Sequence, residues 1–337
     1  MLEIGRKKSS KAKIKIIGVG GGGCNVVNNM IRVGLNHVEF ITVNTERSVL
    51  ETPFTNTKLI IGEKITNGRG AGANPDVGRE AALGHCYQIS QAVAGADIVF
   101  ITAGMGGGTG TGAAPIFAKI AKDMGILTVG IVTKPFIFEG KKRMRRAQQG
   151  ILRLRESVDS LIVIPNQRLL AISTASVSMI DAFKIADEVL LNAIQEISDL
   201  INCTGMINLD FADVKTIMKD KGAALMGIGI GVGTHRALEA ATQAISSPLL
   251  EDTQISGAAG IIINITAGPS LIMQEVDDAI RLITAAAHED ADIIFGTVID
   301  EKMEDRVKVS VIATGLRTVP GTEVNGEALD LKQASNF

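Results

Sequence analysis

A chain of 337 residues, 46% of them hydrophobic, suits two ordinary domains better than one. A formal net charge of −2 and an aromatic content of 3%, with no Trp, argue against a nucleic-acid binder that works by bulk charge or base stacking. Cys24, Cys86 and Cys203 lie too far apart for a CxxC pair or Cys/His ligand spacing, so neither a metal site nor a disulfide framework is expected, which fits a reducing cytosol. Residues 1–12 read as a short, flexible basic arm without the apolar core of a signal peptide. No apolar run reaches the ~18 residues of a membrane span.

Along the chain, Lys13–Val19, Glu39–Val43, Lys58–Ile61, Ile98–Ala103, Leu127–Val132 and Leu161–Ile164 are short apolar runs rich in β-branched residues. They read as strands buried on both faces. Helical stretches alternate with them near Asn25–Val33, Asp76–Val93, Ala113–Lys122 and Glu139–Arg155. This order predicts an α/β fold with a doubly wound, mostly parallel sheet over residues 13–177, whose ligand binds beyond the carboxyl ends of the strands. A pattern of steps of three and four, free of Pro and Gly, predicts a long central helix at 178–202. A loop and a further helix follow at 203–222. Four strands (Leu225–Ile230, Ile261–Thr266, Ile293–Ile299, Val307–Ala313) and two helices (His235–Ile245, Leu271–Ala286) predict a second, smaller α+β domain at 223–317. The apolar pattern then fades, and 318–337 reads as a flexible tail.

Three glycine-rich loops carry the chemistry. Gly18, Gly20 and Gly23 satisfy GxGxxG between a strand and a helix, where backbone N–H groups attract phosphate. Alone this also fits a nicotinamide-dependent oxidoreductase, although Asn44-Thr45-Glu46 is a poor end for the strand that should hold the ribose. Gly104–Gly112 (GMGGGTGTG) is a second strand-to-helix run, and two such loops on one rim can embrace a polyphosphate. It has no P-loop Lys, so amides, helix dipoles and Mg2+ are expected to meet the charge. Gly68–Pro75 (GRGAGANP) is small enough to close over a terminal phosphate.

These runs, with TKPFIFEGKKRM (Thr133–Met144) and NLDFADV (Asn208–Val214), resemble the FtsZ family of tubulin-like GTPases over about Lys13–Leu316. The resemblance implies GTP or GDP as ligand. Gly21, Gly22, Gly23, Cys24 and Asn25 would lie at the phosphates and toward the base. Ala71, Gly72 and Ala73 would sense the γ-phosphate, and Gly107, Gly108, Thr109 and Gly110 would cradle the phosphate chain. Glu139 and Arg143 would contact the ribose side; Asn166 and Asp187 would read guanine. A carboxylate suits that task because guanine presents N–H donors side by side. Phe183, one turn before Asp187, could stack on the base or pack in the core.

The resemblance also implies that Asn208, Asp210 and Asp213 are catalytic. Asp187 and the end of the central helix are ~22 Å apart at 1.5 Å per residue, so one chain can hardly bring both to one nucleotide. The loop would then serve the next subunit of a head-to-tail homopolymer in the cell-division ring, in the cytoplasm at the division site, without direct membrane insertion. Division-ring adaptor proteins are further expected partners. Three departures from the family pattern stand out: Cys24 sits where a smaller residue is common, Glu46 sits where Asp is frequent and is therefore left out of the expected site, and Ala328–Phe337 does not match the usual adaptor-docking tail.

Overall fold

The computed structural model describes residues 11–35, 37–51, 54–55, 57–172, 177–202, 207, 209–250 and 255–316. Most of the expected N-terminal arm, the tail at 318–337, Cys203 and Asn208 lie outside them. The strands are β1 Ile14–Val19, β2 Val38–Asn44, β3 Thr57–Ile60, β4 Ile98–Gly104, β5 Leu127–Lys134, β6 Ser160–Pro165, β7 Gly222–Val232, β8 Gly260–Ala267, β9 Asp292–Ile299 and β10 Arg306–Thr314. They form one sheet in the order β3-β2-β1-β4-β5-β6-β7-β10-β8-β9. Pairing is parallel from β3 through to β7 and again between β8 and β9, and antiparallel where β10 meets β7 and β8.

The helices are α1 Gly20–Val33, α2 Arg47–Glu51, α3 Glu63–Thr66, α4 Pro75–Leu83, α5 Cys86–Val93, α6 Thr109–Asp123, α7 Lys141–Ser157, α8 Asn166–Ile172, α9 Met179–Asn202, α10 Phe211–Met218, α11 Arg236–Ile245 and α12 Met273–Ala286. The short helices α2, α3 and α8 have no counterpart in the sequence reading, and two of the expected helical stretches differ from it. The stretch Asp76–Val93 is two helices, broken at Gly84 and His85, where the His85 ring takes up the Ala81 carbonyl at 2.8 Å. The helix expected from Asn25 begins at Gly20, because low-propensity glycines are tolerated in a first turn that has other uses.

The doubly wound expectation holds, since helices cover both faces of the parallel strands. One apolar core lies under α4 to α7, and a second lies between the sheet and α1, α9 and α10. That second core runs on into the later strands through Ile262 and Ile312, while α11 and α12 cover a third core on their opposite face. The central helix α9, 24 residues and ~36 Å long, thus packs along both sets of strands. A buried polar contact fixes it there: Glu196 accepts from Asn264 Nδ2 at 2.6 Å and pairs with Lys308 Nζ at 2.5 Å. Between the two sets, β6 and β7 share only three residue pairs, Ser160 with Gly222 through Ile162 with Ala224.

Helix α11 sits directly on the β7 backbone. A Cβ on Gly227, Gly229 or Gly231 would come within 2.0 Å of an α11 carbonyl oxygen. Gly229→Ala is therefore expected to lower stability by about 1–3 kcal/mol, read from urea unfolding.

Candidate functional site: a cradle between two helix starts

The order of the first six strands reverses between β1 and β4, and ligands of open parallel sheets bind at such a reversal, beyond the carboxyl ends. Helix α1 leaves β1 at Gly20, and α6 starts at Thr109 just past β4. Neither start has a side-chain cap: Val19 and Gly108 occupy the N-cap positions. Two sets of first-turn N–H groups, each at the positive end of a helix dipole, therefore converge without side-chain acceptors.

Glycine has two separate roles here. Some positions are packed too tightly for any side chain. A Cβ on Gly18 would lie 2.3 Å from the Gly23 carbonyl oxygen, one on Gly23 would lie 2.4 Å from that of Thr102, and one on Gly20 (φ 74°) would lie 2.9 Å from the Gly110 nitrogen. Other positions face open space: a Cβ on Gly21 or Gly107 would meet no protein atom within 4 Å, and neither residue has positive φ. Packing and backbone strain do not require glycine at those two. What its absence of side chain provides is room.

The third loop is docked onto this arrangement. Gly70 N–H donates to the Thr45 carbonyl at 3.2 Å, and Arg47 N–H to that of Gly68 at 3.0 Å. Gly108 abuts Ala71, where a Cβ would come within 2.7 Å of the alanine methyl. Thr109 Oγ1 meets Thr45 Oγ1 at 2.7 Å. Together the loops enclose a cavity of about 410 Å3, also walled by Asn44, Glu46, Arg69 and Arg143.

The wall brings together Gly21, Gly22, Ala71, Gly72, Ala73, Gly107, Gly108, Thr109, Gly110 and Arg143. Gly23 is buried beneath it. Cys24 is also buried, and its thiol faces the Gly18 and Val43 carbonyls at 3.7 and 3.6 Å. Burial pushes that thiol up to about 12, so it is a neutral packing group, and a ligand meets this position only through the backbone. Glu139 stands behind Arg143, pairing with its Nε at 3.0 Å and accepting from Phe136 N–H at 2.8 Å.

Asn166, Phe183 and Asp187 do not line the cavity wall, and neither does Asn25. Asn29, one turn after Asn25 on α1, donates from Nδ2 to Asp187 Oδ2 at 3.4 Å. Phe183 meets Phe136 edge-on, 5.3 Å between centroids, yet stays partly exposed. The buried Asn166 Oδ1 has no hydrogen-bond partner, an acceptor left open on this side. Asp210 and Asp213 are exposed at the start of α10 and do not line the cavity; Asp210 occupies the N-cap position without a side-chain cap bond. Sequence reasoning set Glu46 aside and passed over Arg69. Their shared backbone bridge brings both to the wall, and only the glycine content of the partner loop hinted at so close an approach.

A model of the tubulin/FtsZ family GTPase domain matches residues 13–174, and one of the FtsZ family C-terminal domain matches 222–317. An FtsZ dimer structure from M. jannaschii is 42% identical, with a TM-score of 0.87, covering 91% of this chain and 89% of its own. The chain belongs to the FtsZ family. A point mutant of M. jannaschii FtsZ gives the same identity and TM-score, covering 91% of this chain and 92% of its own. CetZ1 from Haloferax volcanii, described as a GDP-bound monomer, shares the fold at 20% identity and a TM-score of 0.79 over 91% and 96% of the two chains. Membership in the FtsZ family makes the chain a GTPase that binds guanine nucleotide, and the oxidoreductase alternative finds no support.

Burial, and secondarily Glu188, push the Asp187 carboxyl from its ordinary 3.8 up to about 6. The folded state thus holds this proton more tightly than the unfolded chain. The group's contribution to stability falls as pH rises from about 4 to about 6 and is level above that. Asp187→Asn is accordingly expected to raise the melting temperature at about pH 7.5, with a smaller gain at about pH 5, checked by thermal unfolding at both.

Proposed function

We propose that the chain polymerises head to tail on GTP, as a filament of the cell-division ring, and that hydrolysis is completed at the joint between subunits. The observation that carries this reading is the separation of the two halves of the chemistry. The anion-binding amides surround the cavity, while Asp210 and Asp213 lie beyond the far end of α9. The neighbouring subunit's loop would then face the γ-phosphate. Its carboxylates would orient a water that attacks phosphorus as the bond to the bridging oxygen breaks, giving GDP and phosphate.

Gly21, Gly22 and Gly107 to Gly110 would hold the phosphates through backbone N–H groups. Ala71 to Ala73 would close over the terminal one. Arg143, set by Glu139, would lie along the ribose, with Asn166, Asp187 and Phe183 at the base. Among the described residues, no group of three potential ligands could hold a metal by protein alone. Glu46 is the one described carboxylate on the wall, and one carboxylate plus substrate phosphates is a usual way to hold Mg2+.

Apolar surface supports the joint. Ile137 and Phe138 are 69% and 59% exposed; Phe138 adjoins Phe183, and the Glu139 that follows pairs with Arg143 on the cavity wall. A cleft of about 200 Å3 lined by Ile207, Leu271, Ile272 and Ile299 lies on the side of the chain that carries Asp210, three residues after Ile207. Exposed apolar patches of this kind mark interaction sites, and two unlike ones on one subunit build open filaments. Among the described residues no helix is long and apolar enough to cross a membrane. Adaptor proteins would tether such a filament in the cytoplasm at the division site.

Phosphate release per subunit is expected to rise steeply with protein concentration. A flat specific activity would mean that one chain completes the site, with Glu46 as the carboxylate at hand. Asp213→Ala is expected to bind a fluorescent GTP analogue normally while turnover drops about 10²-fold.

A further inference from the structure

The chain's charge is unevenly placed. Helix α7 has seven Lys or Arg and one acid in 17 residues, although the whole chain carries −2. The segment from Met273 to Arg306 is its opposite, with ten acids against three Lys or Arg. Each is paired in part within the chain, as in Arg143–Glu139 and Arg236–Glu275, but not throughout. Lys141, Lys142 and Arg145 are exposed on the first two turns of α7 and, among the described residues, make no ion pair. In the turn between β9 and β10, Glu301, Glu304 and Asp305 are exposed. The nearby Arg306 guanidinium is engaged by the Met303 and Lys302 carbonyls rather than by these carboxylates.

Position links the two. Lys141 follows Phe138 by three residues in the chain, so the cations continue the exposed apolar patch of Ile137 and Phe138 along α7, the helix whose Arg143 reaches the cavity wall. Asp300 follows Ile299, which lines the apolar cleft, so the acids continue that cleft. Each side therefore presents an apolar centre with a charged border, and the borders are of opposite sign.

We infer that the first two turns of α7 pair with the β9–β10 turn of a second copy of this chain, giving the head-to-tail joint an electrostatic border that sets its register. This rests on the filament reading and adds to it a specific pair of surfaces. Complementary borders steer encounter and penalise misaligned contacts more than they add affinity.

The test uses two charge reversals in the full chain: Lys142→Glu with Arg145→Glu, and Glu301→Lys with Glu304→Lys. None of these residues lies on the cavity wall, and circular dichroism with GTP binding checks that each variant folds. Alone, each variant sets like charge against like at every joint, so its critical concentration for GTP-dependent sedimentation should rise about tenfold. Mixed one to one, the two can alternate with opposite charges at every joint, and assembly should return to within about twofold of wild type. All differences should shrink near 1 M salt, where the screening length is about 3 Å. A mixture no better than either variant alone, or reversals without effect, overturns the pairing. Loss of binding to anionic vesicles by the α7 variant, with no rescue on mixing, would assign α7 to a membrane surface instead and equally overturn it. If the wild type does not sediment with GTP, the filament reading fails by itself. The pairing is then judged by sedimentation equilibrium of the mixture, where a heterodimer supports it and monomers refute it.

Discussion

Two helices begin at the ends of adjacent strands with no side chain to receive their first N–H groups, and both starts open into one space. Buried backbone donors without acceptors are costly, and a helix end ordinarily finds a cap. At α1 and α6 the caps are Val19 and Gly108, neither of which supplies one. The fold thus contains a demand for anionic oxygen that the chain itself does not meet. Much of the surrounding sequence follows from holding these two starts close together.

Closeness is achieved by deleting side chains. Gly18 and Gly23 let α1 lie against β1 and β4 at backbone distance, Gly20 lets the start of α1 meet that of α6, and Gly78 and Gly112 do the same for α4 and α6. The third loop then reaches Gly108 and the end of β2. Asp187 is held at a cost of the same kind: its half-buried site resists ionisation, and a ligand bearing N–H donors, as in the proposed site, would relieve that resistance. Binding and folding are therefore linked, since whatever fills the cradle stabilises the chain that forms it.

The parallel strands and the central helix were legible because each satisfies a simple period over enough residues. Gly104–Gly112 was legible because so many glycines between a strand and a helix have few other uses. What escaped was set by contacts distant in sequence. Glycines at 20–23 discourage a helix by propensity, yet α1 starts there because its first turn is held by β1 and β4. Glu46 was set aside because its residue type departs from the family pattern; its place on the wall comes from the bridge to Arg69, more than twenty residues on. The inward turn of Cys24 likewise depends on β2 lying behind α1. Asn208 lies outside the described residues, so its part in the loop rests on the family resemblance.

The narrow seam between β6 and β7 has a mechanical meaning. Ten strands share one sheet, but at the backbone ladder the halves are stitched by three residue pairs; the rest of the connection is side-chain packing along α9 and α10, the Glu196–Lys308–Asn264 contact and the Arg168–Pro248 hydrogen bond. Hydrogen bonds in a ladder resist shear together only when they are many. A load applied across the subunit would concentrate at this seam, leaving the two halves stiff and the line between them compliant. In the proposed filament such a line would recur once per subunit, so bending would be distributed as a regular series of small internal flexures, and the joints between subunits would not have to supply all of the curvature.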